Sequence, residues 1–353
     1  MERHLDAHCE AILQEYRDNL ELITAEGEKV FKSLSETLSK AGIVVAALEH
    51  RIKTEDSLAG KLEIKGAKYK SLASITDIIG LRIITFYSAD VDKVASAVER
   101  LFDVDWENSV DKRKLLEIDS FGYLSLHYVC SEPGFPYKFE IQMRTLLQHA
   151  WANMNHDTGY KSGVEIPVHF RRSMSRIAGL LELVDEQFSI MRSEMADYRR
   201  RMQSLMASGK LEDVPLDGET YRSFLNVYPF KRLLANIASI NQAEILDVPL
   251  MPYLEAFKAL GFKTLGDLDR LIKNYSDAAF QIASYQMGLT DLDIISSSIA
   301  PQNLCIAYIL MNGGGKGGLK YLFDTINGPS PSNEDMAQYM MEETAELPFM
   351  NQK

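Results

Sequence analysis

The spacing of apolar residues changes character several times along the chain, and each change predicts a different kind of element. Residues 5–42 place Leu5, Ile12, Leu13, Tyr16, Leu20, Leu22 and Ile23 at helical spacing, so one or two amphipathic helices are expected there. A β-like run follows at Ile43–Leu48 and leads into the basic stretch HRIKTEDSLAGKLEIKGAKYK. Leu81–Tyr87, rich in β-branched and aromatic residues, predicts a buried strand. Asp90–Phe102 carries Val91, Val94, Val98 and Leu101 at the period of a helix. Tyr123–Cys130 and Tyr137–Met143 read as further strands, and TLLQHAWANMNHD as a helix. Strands alternating with helices between residues 43 and 158 predict an α/β (α+β) domain, a mixed sheet flanked by helices.

From Pro167 to about Met206 the pattern is helical and highly charged. Residues 207–220, ASGKLEDVPLDGET, collect Gly, Pro and Asp and are the expected linker. Residues 221–328 alternate apolar helical segments with short turns, which predicts an all-α C-terminal domain. The polar, acidic residues 329–353 are expected to be a mobile tail. The division expected is therefore 1–206, linker, 221–328 and tail.

Composition narrows the function. The 353 residues carry a formal net charge of -12, so the chain lacks the broad basic field that drives non-specific nucleic-acid binding. A polyanionic ligand would need a local basic pocket. No uninterrupted apolar stretch has the length of a membrane span, and the N-terminus MERHLDAHCE is charged from its second residue. Three widely separated cysteines suggest neither a disulfide framework nor a CxxC metal site, and fit a reducing, cytoplasmic setting.

Four polar clusters sit at the ends of strand-like segments: Arg51-x-Lys53 with Ser57 and Lys61; Asp77-Ile-Ile-Gly-Leu-Arg82; Gly122-Tyr123-Leu-Ser125-Leu-His127; and Glu140-Ile-Gln142-Met-Arg144-Thr145. Each alone has an ordinary explanation: a cap or turn for Asp77, strand alternation for Glu140 and Gln142, a core histidine for His127, a solvated face for the basic residues. Together they suggest two carboxylates able to hold Mg²⁺, basic groups able to neutralise a triphosphate, and an aromatic face at Tyr123 for a base.

Taken in order, HRIK…S…K, TDIIGLRI, GYLSLHYV, FEIQMRTLLQHAW and NHDTGYK resemble the RelA/SpoT-type alarmone synthetases over about residues 45–162. The resemblance implies an ATP:nucleotide 3′-pyrophosphotransferase (a GTP pyrophosphokinase) without a hydrolase domain. Asp77 and Glu140 would be the Mg²⁺ carboxylates, and Glu140 also the general base for the acceptor 3′-hydroxyl. Arg51 and Arg82 would sandwich the ATP adenine, with Lys53, Ser57 and Lys61 on its phosphates. Tyr123 would stack on the acceptor base, with His127 on the acceptor's phosphates or ribose and Gln142 beside that pocket. The acceptor would be GDP or GTP, and the products (p)ppGpp and AMP.

Two departures concern the acceptor. Many relatives carry Lys-x-Asn-Gly-Tyr-Arg-Ser before the histidine, where this chain has Asp119-Ser120-Phe121-Gly122-Tyr123-Leu124-Ser125. Lys112, Arg113 and Lys114 could replace the missing cations. His149 stands where some small synthetases have Asn. These departures leave an alternative, a toxic relative acting on adenine nucleotides or the tRNA 3′ end, with the C-terminal domain as inhibitor or sensor. A non-catalytic module would be expected to have lost Asp77 or Glu140, and both are present. Homo-oligomerisation, and a regulatory ligand or protein at the C-terminal domain, are further expectations. NGGGKGG at 312–318 fails the phosphate-loop spacing and reads as a helix-to-helix connection; AFKALGFKTLGDLDRLI reads as a packed helical hairpin.

Overall fold

A computed structural model of the chain describes residues 5–111, 113, 125–157, 167–289 and 292–351. The chain divides into two compact units, Met1–Ser193 and Glu194–Lys353.

The first unit opens with α1 (Ala7–Asp18) and α2 (Leu20–Lys40). Asp6 caps α1 by accepting from the Cys9 amide, and Asn19 breaks the two helices apart, its amide donating to Glu15 O at 2.8 Å. On α2, Ile23, Val30, Leu34 and Leu38 form the buried stripe. Gly27 lies within it: a Cβ there would come within 2.8 Å of Ile52 Cδ1, so glycine allows α2 to approach the sheet closely.

Among the described residues the sheet has six strands. Strand β1 (Ala47–Ile52) runs antiparallel to β2 (Ile79–Thr85), which runs parallel to β6 (Phe139–Thr145); β5 (Leu126–Ser131) is antiparallel to β6. The short β3 (Asp103–Val104) and β4 (Val110–Asp111) pair antiparallel with β5. Between these strands lie α3 (Glu55–Lys65), α4 (Ser88–Leu101), and, after β6, α5 (Leu146–Asp157) and the long α6 (Val168–Ala207). The mixed sheet flanked by helices is the architecture expected.

Alternation explains the sheet's two faces. Leu81, Ile83, Phe139, Ile141, Met143, Leu126 and Tyr128 are buried in one core with residues of α1 to α4. The intervening positions, among them Arg82, Glu140, Gln142 and His127, are only partly buried and face the other way. The first strand is displaced from its expected place: Ile43–Leu48 reads as apolar, yet pairing covers Ala47–Ile52, because Glu49 and Arg51 belong to the polar face.

The second unit contains the end of α6, then α7 (Gly218–Leu225), α8 (Lys231–Ala238), α9 (Tyr253–Ala259), α10 (Leu265–Gly288), α11 (Ile299–Met311), α12 (Gly315–Asn327) and α13 (Ser332–Thr344). Helix α11 is apolar on nearly every side and buries Leu304, Cys305, Ile306 and Leu310. The region is helical as expected, with one addition: β7 (Glu244–Leu246) and β8 (Ile294–Ser296) form a parallel pair.

Three boundaries need correction. The division between units falls inside α6 instead of at residue 206. Residues 207–220 are no loose linker: Val214 and Leu216 are buried, and Leu216 N donates to Lys263 O at 2.7 Å. The expected mobile tail contains α13 and is packed, with Ala337, Met340 and Phe349 buried in the second core. Its polar residues mask a sparse apolar set. The glycine-rich segment joins α11 to α12 through a turn with Gly313 at φ 78° and Gly315 at φ 51°. Among the described residues, no helix is long and apolar enough to cross a membrane.

Candidate active site

Register across the polar face sets the site. Arg51, Gly80 and Glu140 are neighbours on three adjacent strands, and Glu49, Arg82, Gln142 and His127 on four. At Gly80, in the first row, a Cβ would meet the Arg51 side chain at 3.6 Å, an ordinary van der Waals contact. Above the rows lies an open cleft lined by Glu49, Arg51, Asp77, Gly80, Arg82, Glu140 and Gln142, among others.

Asp77, in the turn before β2, accepts from Lys53 Nζ at 2.8 Å and from Lys61 Nζ at 2.7 Å. Lys53 follows β1 directly, and Lys61 lies on α3 with its ammonium 5.3 Å from the Tyr69 ring centroid. Burial alone would raise the Asp77 carboxyl, but the two lysines outweigh it and hold it below the ordinary carboxylate range. Burial likewise opposes the charge on Lys61, and Asp77 reverses the effect, so that Lys61 is raised. Ser57, in the first turn of α3, is exposed, and its amide donates to the Thr54 cap.

Glu140 anchors a second network. Its Oε1 accepts from His127 Nδ1 at 2.8 Å and its Oε2 from Gln142 Nε2 at 2.9 Å. His127 Nε2 in turn lies 2.7 Å from Ser125 Oγ, and Arg144 donates to Gln142 Oε1. Burial would raise the Glu140 carboxyl; hydrogen bonding and attraction from His127, with a smaller share from Gln142, hold it below its usual value. The charge of Asp77 acts against this, so the two carboxylates sense one another across the cleft.

Arg82 pairs with Glu49 at 3.1 Å. Behind it, burial pushes the Arg144 guanidinium down to about 10, and repulsion from Arg82 adds to the shift. His149 on α5 is lowered by burial and by both arginines, which favours its neutral form. Asn153 Nδ2 lies 2.9 Å from His149 Nε2; an amide nitrogen only donates, so the ring proton sits on Nδ1. His149 Nδ1, Arg82 Nε and Arg144 Nε are buried with no hydrogen-bond partner among the described residues. Three unsatisfied donors here suit a ligand rich in acceptors, since each costs about 1–3 kcal/mol unpaired.

The fold thus brings Arg51, Asp77, Arg82, Glu140 and Gln142 to one cleft, with Lys53 and Lys61 joined through Asp77 and His127 through Glu140. Arg113 is engaged elsewhere, by Asp111 and Asp92, each at 2.9 Å. Lys112, Lys114 and Tyr123 lie outside the described residues. The residues without an expected role are Glu49, Ser125 and Arg144. Period-two counting from Glu140 through Gln142 would have placed Arg144 on the same face.

Residues 50–165 match the family model described as a region found in RelA / SpoT proteins. Over 154 residues the chain is 30% identical to GTP pyrophosphokinase YjbM of Bacillus subtilis, covering 42% of this chain and 72% of that protein. The chain belongs to the RelA/SpoT family. GTP pyrophosphokinase YwaC of Bacillus subtilis is 27% identical over 167 residues, covering 42% of this chain and 75% of that protein. Among solved structures, small alarmone synthetase 1 from Bacillus subtilis bound to its product pppGpp aligns with a TM-score of 0.46 at 23% identity, covering 52% of this chain and 99% of that one. The RelA/SpoT match lies wholly within the first unit, which carries the cleft.

Proposed function

We propose that the chain is an alarmone synthetase, transferring pyrophosphate from ATP to the 3′-hydroxyl of GDP or GTP with release of AMP. The observation that carries this reading is the pair of separately held carboxylates, Asp77 and Glu140, facing one cleft with Arg51 and Arg82. The curated relatives named GTP pyrophosphokinase support a guanine nucleotide as acceptor over adenine nucleotides or tRNA.

In this reading Arg51 and Arg82 hold the adenine, and Lys53 and Lys61 meet its phosphates. Glu140, ionised and held from both sides, orients the acceptor 3′-hydroxyl. The β-phosphorus of ATP accepts that oxygen, AMP leaves, and the proton passes to Glu140 Oε. A carboxylate with a lowered pKa is always ready but a weak base, which suits a loose phosphoryl-type transition state in which the proton moves late.

Mg²⁺ fits the donor set. It takes one or two carboxylates with phosphate and water oxygens, and Asp77 and Glu140 line the same cleft. Bound there, the ion would neutralise charge on the phosphate oxygens.

The test is transfer from ATP labelled in its terminal phosphates to GDP, GTP, ADP or tRNA in separate reactions. Label in GDP or GTP with matching AMP release is expected. Label appearing only in ADP or tRNA, or none anywhere, would overturn the proposal.

A further inference from the structure

Alternation along β6 puts Glu140, Gln142 and Arg144 on one face, and the antiparallel register sets His127 of β5 opposite Gln142. Hydrogen bonds join these side chains end to end: Ser125 to His127, His127 to Glu140, Gln142 to Glu140, and Arg144 to Gln142. Glu140 thus sits in the middle of a chain whose two ends, Ser125 and Arg144, are both buried.

The two ends differ in kind. A hydroxyl both donates and accepts, so Ser125 can satisfy His127 Nε2 whether or not that nitrogen carries a proton. A guanidinium only donates. Arg144 therefore fixes the Gln142 carbonyl on its own side and leaves the NH₂ for Glu140 Oε2, 2.9 Å away. An amide free to turn could present either group to Glu140, and this one cannot. With an N–H on each oxygen, the carboxylate is held in one orientation, and its remaining lone pairs are left for the cleft that it lines.

Arg144 occupies this place at a cost. It is only 6% exposed, and among the described residues its guanidinium makes a single hydrogen bond, to Gln142 Oε1. Its Nε is buried without a partner there, and Arg82 repels its charge. Burying an arginine in this way does little for stability, since an apolar side chain of similar volume is often neutral or better in such a place. The one contact it does make leads to Glu140.

We propose that Arg144 is a positioning residue for the transfer step: by fixing the Gln142 amide it keeps the Glu140 carboxylate aimed at the acceptor 3′-hydroxyl, a role that rests on the synthetase reading of the cleft. Arg144→Met should lower kcat for AMP release about tenfold or more while the KM for ATP stays within about twofold, since small misplacements of a reacting group can cost about 10²-fold. Its melting temperature should equal or exceed that of the wild type, which separates the effect from a loss of folding. Arg144→Lys returns a donor to Gln142 and should recover turnover to within about threefold of wild type. Gln142→Met should lower kcat as much as Arg144→Met, and the double variant no further than either alone, because one residue acts through the other. Nuclear magnetic resonance of the ligand-free protein gives a readout independent of activity. The side-chain amide signals of Gln142, assigned by their absence in Gln142→Met, should move in Arg144→Met and return toward their wild-type positions in Arg144→Lys. Wild-type kcat in Arg144→Met, additive losses in the double variant, or unmoved Gln142 signals would each overturn the proposal. A wild type that transfers pyrophosphate to no acceptor would instead overturn the synthetase reading, and the Gln142 signals would still decide whether Arg144 sets that amide.

Discussion

Glu140→Gln tests the network around the cleft more sharply than its small change in size suggests. The carboxylate accepts from both sides, from His127 Nδ1 and Gln142 Nε2. An amide offers one acceptor and one donor, so as long as His127 keeps its proton on Nδ1 the NH₂ confronts a donor in either orientation. Gln142 cannot turn over to relieve this, because Arg144 holds its oxygen. Leaving a buried donor unmatched costs about 1–3 kcal/mol, and each kcal/mol lowers the melting temperature of a unit this size by about 2–4 °C. Separately, losing the base should reduce kcat by about 10²–10⁴, or about 2.7–5.5 kcal/mol of barrier. Adding Gln142→Glu restores donor–acceptor matching: the new amide donates to Glu at 142, which still accepts from Arg144. The double variant should therefore recover most of the melting temperature and none of the turnover. The assay is AMP release at saturating ATP and GDP, alongside thermal unfolding. Turnover of Glu140→Gln within about threefold of wild type would refute the role given to Glu140. Full activity in the double variant would refute the separation of structural from chemical effects.

Other expectations follow from the same contacts. Asp77→Asn strands Lys53 and Lys61 without a counter-charge and should cost about 1–3 kcal/mol, between a surface pair and a buried one. The folded Asp77 pKa is depressed, so its stabilisation is fully present above about pH 5 and is lost as pH falls below the unfolded value of about 3.9 through the folded one. The variant should thus lose less stability than wild type in acid titrations followed by fluorescence; equal slopes would count against the pairing. Arg82→Lys keeps the charge but not the planar fork, and should raise the KM for ATP about tenfold while changing kcat little. Truncation after Gly328 removes Met340 and Phe349 from the second core, and at about 1.5–3 kcal/mol per buried side chain should visibly lower that unit's melting temperature. A tail without a structural role would leave it unchanged.

Strands buried on one face were legible because their apolar residues sit close together, as in Leu81–Thr85 and Phe139–Met143. Strand β1 was misplaced for the opposite reason: Glu49, His50 and Arg51 are exposed, so the strand loses the apolar signal where it borders the cleft. Asp77 and Glu140, which line one cleft, stand out in the sequence through ordered motifs, but their partners do not. That Asp77 engages two lysines and Glu140 a histidine depends on register across strands far apart in the chain. The packing of residues 214–216 and of α13 was hidden by acidic, proline-containing surroundings, in which a few residues such as Leu216, Met340 and Phe349 carry the burial. Composition averages over such residues, whereas packing depends on them individually.

The cleft floor is written in every second residue of four adjacent strands, which has a consequence for how the chain can change over time. Deleting Phe139 while the preceding chain keeps its place would turn Ile141 and Met143 toward the cleft and send Glu140 and Gln142 into the core, reversing both faces together. Loss or gain of a single residue in these strands therefore either reverses a run of the floor or has to be taken up locally as a bulge. Variation in length should be confined to the connections, and diversification of substrate preference to point substitutions along the existing rows.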